Sequence, residues 1–352
     1  MLLYIHIPFC DSKCFYCAFN SYTSLHSLRS DYMEALVIQL EDGLKKNDKK
    51  IETIFIGGGT PSTIKASKYK KVMDLVRPYL VENCEITIEA NPNSASRKWL
   101  EEIYEIGINR VSFGVQSFDD EKLKFLGRNH NKQQAIGAIT NAKEIGFVNI
   151  NCDIIYDTKL DTKELLENDL SIIKNLPINH ISAYSLTIEE GTKFYNQKNV
   201  QFENEKLARF LFQKFAGLGF RQYEISNFAL DENARSKHNF GYWQYKEYLG
   251  VGSGAVGCID NKRYYSQKDV HEYIKNPLKY DEIEILSSND VLVEKVLLGL
   301  RSVVGVDSDL FNEVTKEKAK ILVQADKLIQ KENMLYSSDF MLADEISLYL
   351  DI

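Results

Sequence analysis

Tyr4-Ile5-His6-Ile7-Pro8-Phe9-Cys10-Asp11-Ser12-Lys13-Cys14-Phe15-Tyr16-Cys17 begins as an apolar run and ends in three cysteines spaced Cys-x3-Cys-x2-Cys. The residues Leu2–Ile7 read as a β-strand, so the cysteine loop follows the first strand directly. Three thiolates this close repel one another unless a cation or cluster lies between them, and the spacing therefore predicts a metal centre. In barrel-like α/β folds that end of the sheet is where ligands sit. Three cysteines hold three irons of a [4Fe-4S] cluster and leave the fourth iron open to an exogenous ligand. The alternative is structural zinc with His6 as fourth ligand. By strand alternation His6 points to the face of Tyr4 and Pro8, which makes it a poor partner for the loop. Cys84, Cys152 and Cys258 have no such neighbours in sequence. The first two sit in or beside apolar strands, and all three read as core thiols.

Outward from this loop, strand-like runs alternate with helical patterns. Strands are expected at Leu2–Ile7, Thr53–Ile56, Glu85–Ala90, Arg110–Val115, Val148–Ile155 and His180–Leu186. Helices are expected near Ser30–Leu44, Lys65–Leu80, Ser96–Ile106, Gln133–Ile145, Lys163–Asn175 and Glu203–Leu218. Such alternation implies right-handed crossovers and a parallel sheet covered by helices. The units are too few for a closed eight-stranded barrel, so the expected fold is α/β, a partial (βα)6 TIM-like barrel with a small, mainly helical C-terminal domain. Glu224–Gly257 turns aromatic and glycine-rich, which predicts a change of architecture. From about Asp281 the pattern reads as helical and charged, with Ser287-Ser288-Asn289 as a cap and a short hairpin around Met334–Ala343. The expected division is 1–225, the barrel; 226–280, the aromatic extension; and 281–352, the small domain.

Composition bounds the function. In 352 residues, 43 Lys and Arg against 50 Asp and Glu leave a net charge of −7, so no basic field draws the chain to nucleic acid. With 44% apolar residues it can bury a sizeable core. No run approaches the ~18 apolar residues of a membrane span, and the opening Met1-Leu2-Leu3 lacks the basic lead of a signal peptide. A cytoplasmic location is expected, where cysteines serve as metal ligands or core residues more often than as disulfides.

Taken with Gly57-Gly58-Gly59-Thr60-Pro61-Ser62, the opening motif resembles the radical S-adenosylmethionine (SAM) superfamily. More narrowly, it resembles the branch that contains oxygen-independent coproporphyrinogen III oxidase and the HemW-type heme chaperones. The resemblance implies that Cys10, Cys14 and Cys17 hold a [4Fe-4S] cluster whose open iron binds the amino and carboxylate groups of SAM. Gly58 and Gly59 offer backbone that a polar ligand can approach without a Cβ in the way. Glu89, at the end of the third strand, is placed to hold an ammonium group or ribose hydroxyls. Gln116 ends the fourth strand, and Asp153 lies in the fifth among isoleucines, where an unpaired charge is expensive. Arg128 matches a position that meets the SAM carboxylate or a second ligand, though its own context also fits a solvated surface arginine. The resemblance extends the cofactor-binding set to Tyr4, Tyr16 and Thr60. One departure stands out: the family usually follows the fifth-strand aspartate with a Tyr-Gly-Leu-Pro-like turn, whereas this chain has Tyr156-Asp157-Thr158-Lys159-Leu160.

Two features bear on the branch. The oxidases carry a further cysteine two positions after the third, where this chain has Ala18-Phe19, and they carry an extension before the first strand, where it has only Met1-Leu2-Leu3. Both favour the chaperones. Positively, His238-Asn239-Phe240-Gly241-Tyr242-Trp243 resembles the His-Asn-x-x-Tyr-Trp motif of that branch. A neutral imidazole suits heme iron as an axial ligand, and the aromatic faces of Tyr242 and Trp243 can cover a macrocycle. Arg235 and Lys237 are candidates for the two propionates. By themselves these residues fit packing beside the Leu249–Gly254 turn equally well. His26, His130, His180 and His271 stand alone and are not expected to be ligands. The resemblance thus implies a heme carrier with [4Fe-4S] cluster, SAM and heme as cofactors, rather than a coproporphyrinogen III dehydrogenase. An acceptor protein takes the heme, an electron donor is needed if SAM is cleaved, membrane contact is peripheral through the acceptor, and the chain is a monomer or dimer. The alternative is the oxidase, in which a 5′-deoxyadenosyl radical abstracts hydrogen from a propionate.

Overall fold

A computed structural model describes residues 1–47 and 49–352. In chain order the elements of the first part are β1 (Leu2–Ile7), α1 (Arg29–Lys46), β2 (Ile51–Gly58), α2 (Ala66–Val76), β3 (Leu80–Ala90), α3 (Arg97–Glu105) and β4 (Arg110–Gln116). There follow α4 (Asp120–Phe125), α5 (Lys132–Ile145), β5 (Asn149–Tyr156), α6 (Lys163–Ile173), β6 (His180–Ser185), α7 (Glu205–Gly217), β7 (Arg221–Gln222) and β8 (Asn227–Ala229). The six repeating strands pair in parallel in their chain order, β1 to β6, as the alternation predicts.

Period-two patterning decides which side of each strand meets what. In β4, Val111, Phe113 and Val115 enter the core under the helices, while Arg110, Ser112, Gly114 and Gln116 line the inner face. The same alternation gives β5 and β6 an apolar outer row and a polar inner one, so the barrel has a polar bore inside a greasy shell. Short caps place the helices: Ser96, Asn131, Thr162 and Asn204 each accept a backbone N–H of the first turn of α3, α5, α6 and α7.

Beyond β8 the structure departs from the expected change of architecture. After α8 (Lys237–Trp243), strand β9 (Tyr248–Val251) pairs in parallel with β1, on the side opposite β2. Then β10 (Val256–Ile259), β11 (Lys262–Ser266), α9 (Val270–Lys275) and β12 (Tyr280–Ile285) extend the same sheet to twelve strands, with β10–β12 antiparallel. The glycines have a steric purpose here: a Cβ on Gly250 would lie 2.1 Å from the carbonyl oxygen of Val256, so only glycine lets β9 and β10 cross this closely. Residues Asp281–Ile285 are correspondingly sheet, not helix.

The last part comprises α10 (Ser288–Leu300), β13 (Val306–Asp307), α11 (Glu313–Gln324), β14 (Leu328–Lys331), β15 (Met334–Ser337) and α12 (Ala343–Leu350). Ser287 and Asp290 form a reciprocal capping box at the start of α10. The hairpin lies at β14–β15, earlier than expected, turning through Glu332 at φ 54° without a glycine to mark it. Val296 and Leu300 enter a separate core with Val306, Phe311, Leu335 and Ile346. Backbone bonds from Ile225 to Arg301 (2.8 Å) and from Val303 to Tyr223 (2.9 Å) tie this part to the barrel. No helix among the described residues is long and apolar enough to cross a membrane.

Candidate functional site

Two clefts share a wall. The first, about 480 Å³, occupies the bore and is lined by all three loop cysteines. Thr60 Oγ1 donates to Cys10 Sγ at 3.3 Å, and Arg128 Nη1 donates to Cys14 Sγ at 3.1 Å. Burial pushes the thiols of Cys10 and Cys17 up, with the neighbouring cysteines adding to the effect. Bare thiolates are therefore disfavoured here, and a cationic centre would be needed to hold them ionised. Three sulfurs opening on one cleft, with donors already aimed at two of them, fit a [4Fe-4S] cluster with one iron left open. His6 takes no part. Its Nδ1 lies 2.9 Å from the Tyr4 hydroxyl and its Nε2 2.9 Å from the Asn20 carbonyl oxygen, so neither ring nitrogen is left for zinc. These partners assign the proton to Nε2.

The SAM-site candidates other than Tyr4 all face this cleft. Gly58, at φ 108°, donates its N–H to Glu89 Oε2 at 3.0 Å, and a Cβ on Gly57 would sit 2.8 Å from the same oxygen. The glycine run thus seats the carboxylate as well as opening the backbone. Burial, followed by the charge of Asp153, pushes the Glu89 carboxyl up to about 8. Asp153 is also raised by burial, offset by hydrogen bonds, of which the Asn151 Nδ2 donor stands at 2.6 Å. Gln116 holds φ 73°, a conformation costly for a residue with a Cβ, and is buried where β4 ends. Arg128 is pinned rather than solvated: Nη2 donates to Gly114 O at 2.5 Å and to Asn91 Oδ1. Tyr16 lines the cleft beside Arg128 and Cys14. Gly59 and Thr60 donate their backbone N–H groups to the carbonyl oxygens of Ile7 and Phe9, both at 2.8 Å, which locks the second loop against the first.

The unusual turn after β5 is built from acids. Asp157 takes φ 62°, a conformation that aspartate tolerates better than most residues, and its carboxylate accepts from Ser185 Oγ (2.7 Å) and Asn204 N (3.2 Å). Asp161 pairs with the fully buried Lys122 at 2.5 Å and accepts from Thr158 N at 2.7 Å. Asp153 keeps its place on the strand above this rebuilt turn.

Tyr4 instead lines the second cleft, of about 980 Å³, between the β9–β11 end of the sheet, α8 and α10. That volume falls at the top of the ~300–1,000 Å³ range of small-molecule sites. Phe55, Asn239, Ala18 and Phe19 line both clefts and form the partition. His238 and Tyr242 border the second cleft; Trp243 is half-buried outside its lining. His238 itself is fully buried, with Nδ1 2.8 Å from Thr53 Oγ1 and Nε2 3.0 Å from the Tyr242 hydroxyl. Burial, then the charge of Arg110, brings its pKa down to about 3.

Several sequence readings need correction. Arg235 lies over the Tyr223 and Phe240 rings and pairs with Glu232 at 3.3 Å, while Lys237 spends its backbone N–H on Glu85; neither lines the cleft. Its cations are Lys246, Arg263, Lys268, Lys295 and Arg301, of which Lys268 and Lys295 have no ion pair among the described residues. Cys258 borders this cleft, whereas Cys84 and Cys152 are buried in the core. The isolated histidine His180 is a structural link, bonded to Asn151 and Tyr223. Sequence reasoning passed over Arg110, Ser112, Asn151 and Ser182 in the bore, although the polar residue at every second position of β4, β5 and β6 signalled them.

The radical SAM superfamily matches residues 4–173. "Heme chaperone HemW" of Bacillus subtilis (strain 168) is 35% identical over 325 residues, covering 88% of this chain and 86% of that protein. "Heme chaperone HemW" of Lactococcus lactis subsp. lactis (strain IL1403) is 33% identical over 324 residues, covering 89% and 84%. Among solved structures, coproporphyrinogen III oxidase (HemN) from Escherichia coli superposes with a TM-score of 0.83 at 21% identity, covering 99% of this chain and 89% of that one. That likeness concerns the fold.

Proposed function

The chain belongs to the HemW heme chaperone family of the radical SAM superfamily, and from that premise we propose that it carries heme in the second cleft beside a [4Fe-4S] cluster and SAM in the first. The observation that carries this reading is the pair of clefts separated by one layer of side chains, one lined by three cysteines and the other by His238 and Tyr242.

Each residue then has a task. Cys10, Cys14 and Cys17 hold the cluster, which when bound supplies an open iron for SAM and a one-electron centre. Arg128 and Thr60 donate to its sulfur ligands. Glu89 receives the ammonium or ribose of SAM, while Gln116 and Asp153 contact the same ligand from the ends of β4 and β5. Tyr16 closes that cleft near Cys14. On the other side of the partition, His238 offers neutral imidazole at any ordinary pH, and Tyr242 is its switchable partner: Nε2 is free for iron once the phenol turns away. Tyr4 and Tyr242 supply aromatic contact, Trp243 supports α8 from behind, and Lys268 and Lys295 replace Arg235 and Lys237 as partners of the propionates.

Heme is the cargo, delivered to an acceptor protein whose surface can bring the chain to a membrane peripherally. An electron donor enters if SAM is cleaved. We take residues 1–225 as barrel, 226–280 as the sheet extension that walls the heme cleft, and 281–352 as the unit that covers it through α10. The oxidase reading has no observation of its own beyond a shared fold. The test is to incubate cluster-reconstituted protein with heme, and separately with coproporphyrinogen III, SAM and reductant. Stoichiometric heme that passes to an apo-acceptor, without decarboxylated product, is expected; decarboxylated product without stable heme would overturn the reading.

A further inference from the structure

At the inner end of the bore lies a charged group without a protein hydrogen-bond or ion-pair partner among the described residues. Arg110 is the first residue of β4, and Gln116, where the strand ends near the cysteine loop, is the last; at ~3.3 Å per residue the two are about 20 Å apart along the strand. The Arg110 side chain is only 2% exposed, yet it lines the first cleft. Its guanidinium makes no hydrogen bond or ion pair among the described residues, and its Nε is buried without a partner. Its ladder neighbour on β3, Thr87, is fully buried with an orphaned hydroxyl. Buried guanidinium groups are ordinarily paired, because a desolvated cation with unfilled donors is costly to keep. An unpaired guanidinium that lines the bore, beside a buried orphaned hydroxyl on the next strand, points to an anionic ligand.

We propose that Arg110 anchors a carboxylate-binding subsite at the inner end of the cysteine cleft, which admits a small carboxylate-bearing molecule beneath SAM. The fork of a guanidinium matches a planar carboxylate through two parallel bonds. The single charge of one guanidinium balances a monoanion but leaves a phosphate dianion half compensated, in a bore whose burial already disfavours the ionised forms of Glu89 and Asp153. The subsite is distinct from the heme cleft, which does not include Arg110. Ser112, Asn151 and Ser182 line the bore between the two ends and make the passage polar. The inference goes beyond heme carriage: it assigns the radical SAM bore an occupant of its own. It rests on the SAM reading only for what fills the outer part.

The test uses the full chain with its cluster, free of heme, titrated with carboxyl-labelled propionate and followed by line broadening in 13C NMR. Saturable binding is expected with SAM absent or present, so failure of the SAM reading and failure of this one are separable. Arg110→Gln should weaken propionate by at least about tenfold, whereas Arg110→Lys should retain part, because the charge stays and the fork is lost. Inorganic phosphate and chloride should displace the label poorly. No saturable binding to the wild type, equal affinity in Arg110→Gln, or equal displacement by chloride overturns the assignment. Should Arg110→Gln not fold, Ser182→Leu narrows the bore with the guanidinium intact. Unchanged propionate affinity in that folded variant overturns it as well.

Discussion

The hydroxyl of Tyr242 lies 3.0 Å from Nε2 of His238, one helical turn away on α8, and occupies the ring nitrogen that heme iron would take. In the proposed heme site the helix would thus hold a ligand and its own competitor. Tyr242→Phe should leave Nε2 unpaired and tighten ferric heme, while His238→Ala should shift or erase the Soret band and leave the cluster spectrum intact. Because the His238 pKa is brought down to about 3, no proton competes at this nitrogen between pH 8 and 5. Heme affinity should therefore stay flat at this position over that range. A Soret spectrum unaltered in His238→Ala would place the ligand elsewhere.

Removing any one of Cys10, Cys14 or Cys17 should abolish the brown charge-transfer absorption and the ~4 irons per chain expected of a [4Fe-4S] centre, since each thiolate is one of only three protein ligands. Arg128→Gln should keep the iron and lower the cluster's reduction potential, because a cation beside Cys14 Sγ favours the more negative reduced state. Titration monitored by electron paramagnetic resonance measures both. Zinc in place of iron after anaerobic reconstitution would sink this assignment.

Glu89, raised to about 8, is mostly protonated at pH 7 in the free protein. An ammonium brought beside it favours the ionised form, so SAM binding should release up to ~1 proton at pH 7 and tighten as pH rises toward 8. Without SAM the sign reverses for stability. A carboxyl whose folded pKa exceeds its unfolded value of about 4.3 makes the fold progressively less stable as pH rises from there to about 8. Glu89→Gln should remove both effects and weaken SAM roughly ten- to a hundredfold, for a charge-assisted bond of ~1.5–3 kcal/mol, with iron content unchanged. Calorimetry in buffers of different ionisation heat decides; heats independent of buffer would remove Glu89 from the site.

Asp161→Ala strands the buried Lys122 ammonium without its carboxylate and should cost about 3–5 kcal/mol. Lys122→Met with Asp161→Leu removes both charges and should cost less than the single change. Denaturant unfolding followed by far-ultraviolet circular dichroism compares the two. A mild Asp161→Ala with a worse double variant would mean that the pair does not hold the turn after β5.

In α10, Glu294 accepts from Tyr245 (2.8 Å) and pairs with Arg263, fastening the helix over the second cleft. Glu294→Gln should loosen this cover and raise the heme dissociation rate several-fold, with cluster content unaffected. Stopped-flow transfer of heme to apomyoglobin measures it, and an unchanged rate would show that α10 does not gate the cleft.

The sequence by itself determined the local and the periodic. Alternating strands and helices specified the parallel sheet, because each apolar face must be covered. The spacing of Cys10, Cys14 and Cys17 predicted that the three thiols open on one cleft, because groups so close in the chain cannot be far apart in space. The cap at Ser287 was legible for the same reason: its bonds span only a few residues.

What crosses the chain was decided by the tertiary structure. That β9 would pair with β1 rests on contacts more than 240 residues apart, and its signal, Gly250, has meaning only beside Val256. The engagement of His238 by Thr53 and Tyr242, the presence of Lys268 and Lys295 rather than Arg235 and Lys237 along the second cleft, and the lack of a hydrogen-bond or ion-pair partner for Arg110 among the described residues likewise depend on which groups meet in space. A strand's alternation shows that a polar side chain points inward. Only the packing of the other strands around it shows whether a partner is waiting there, and for Arg110 none is found among the described residues.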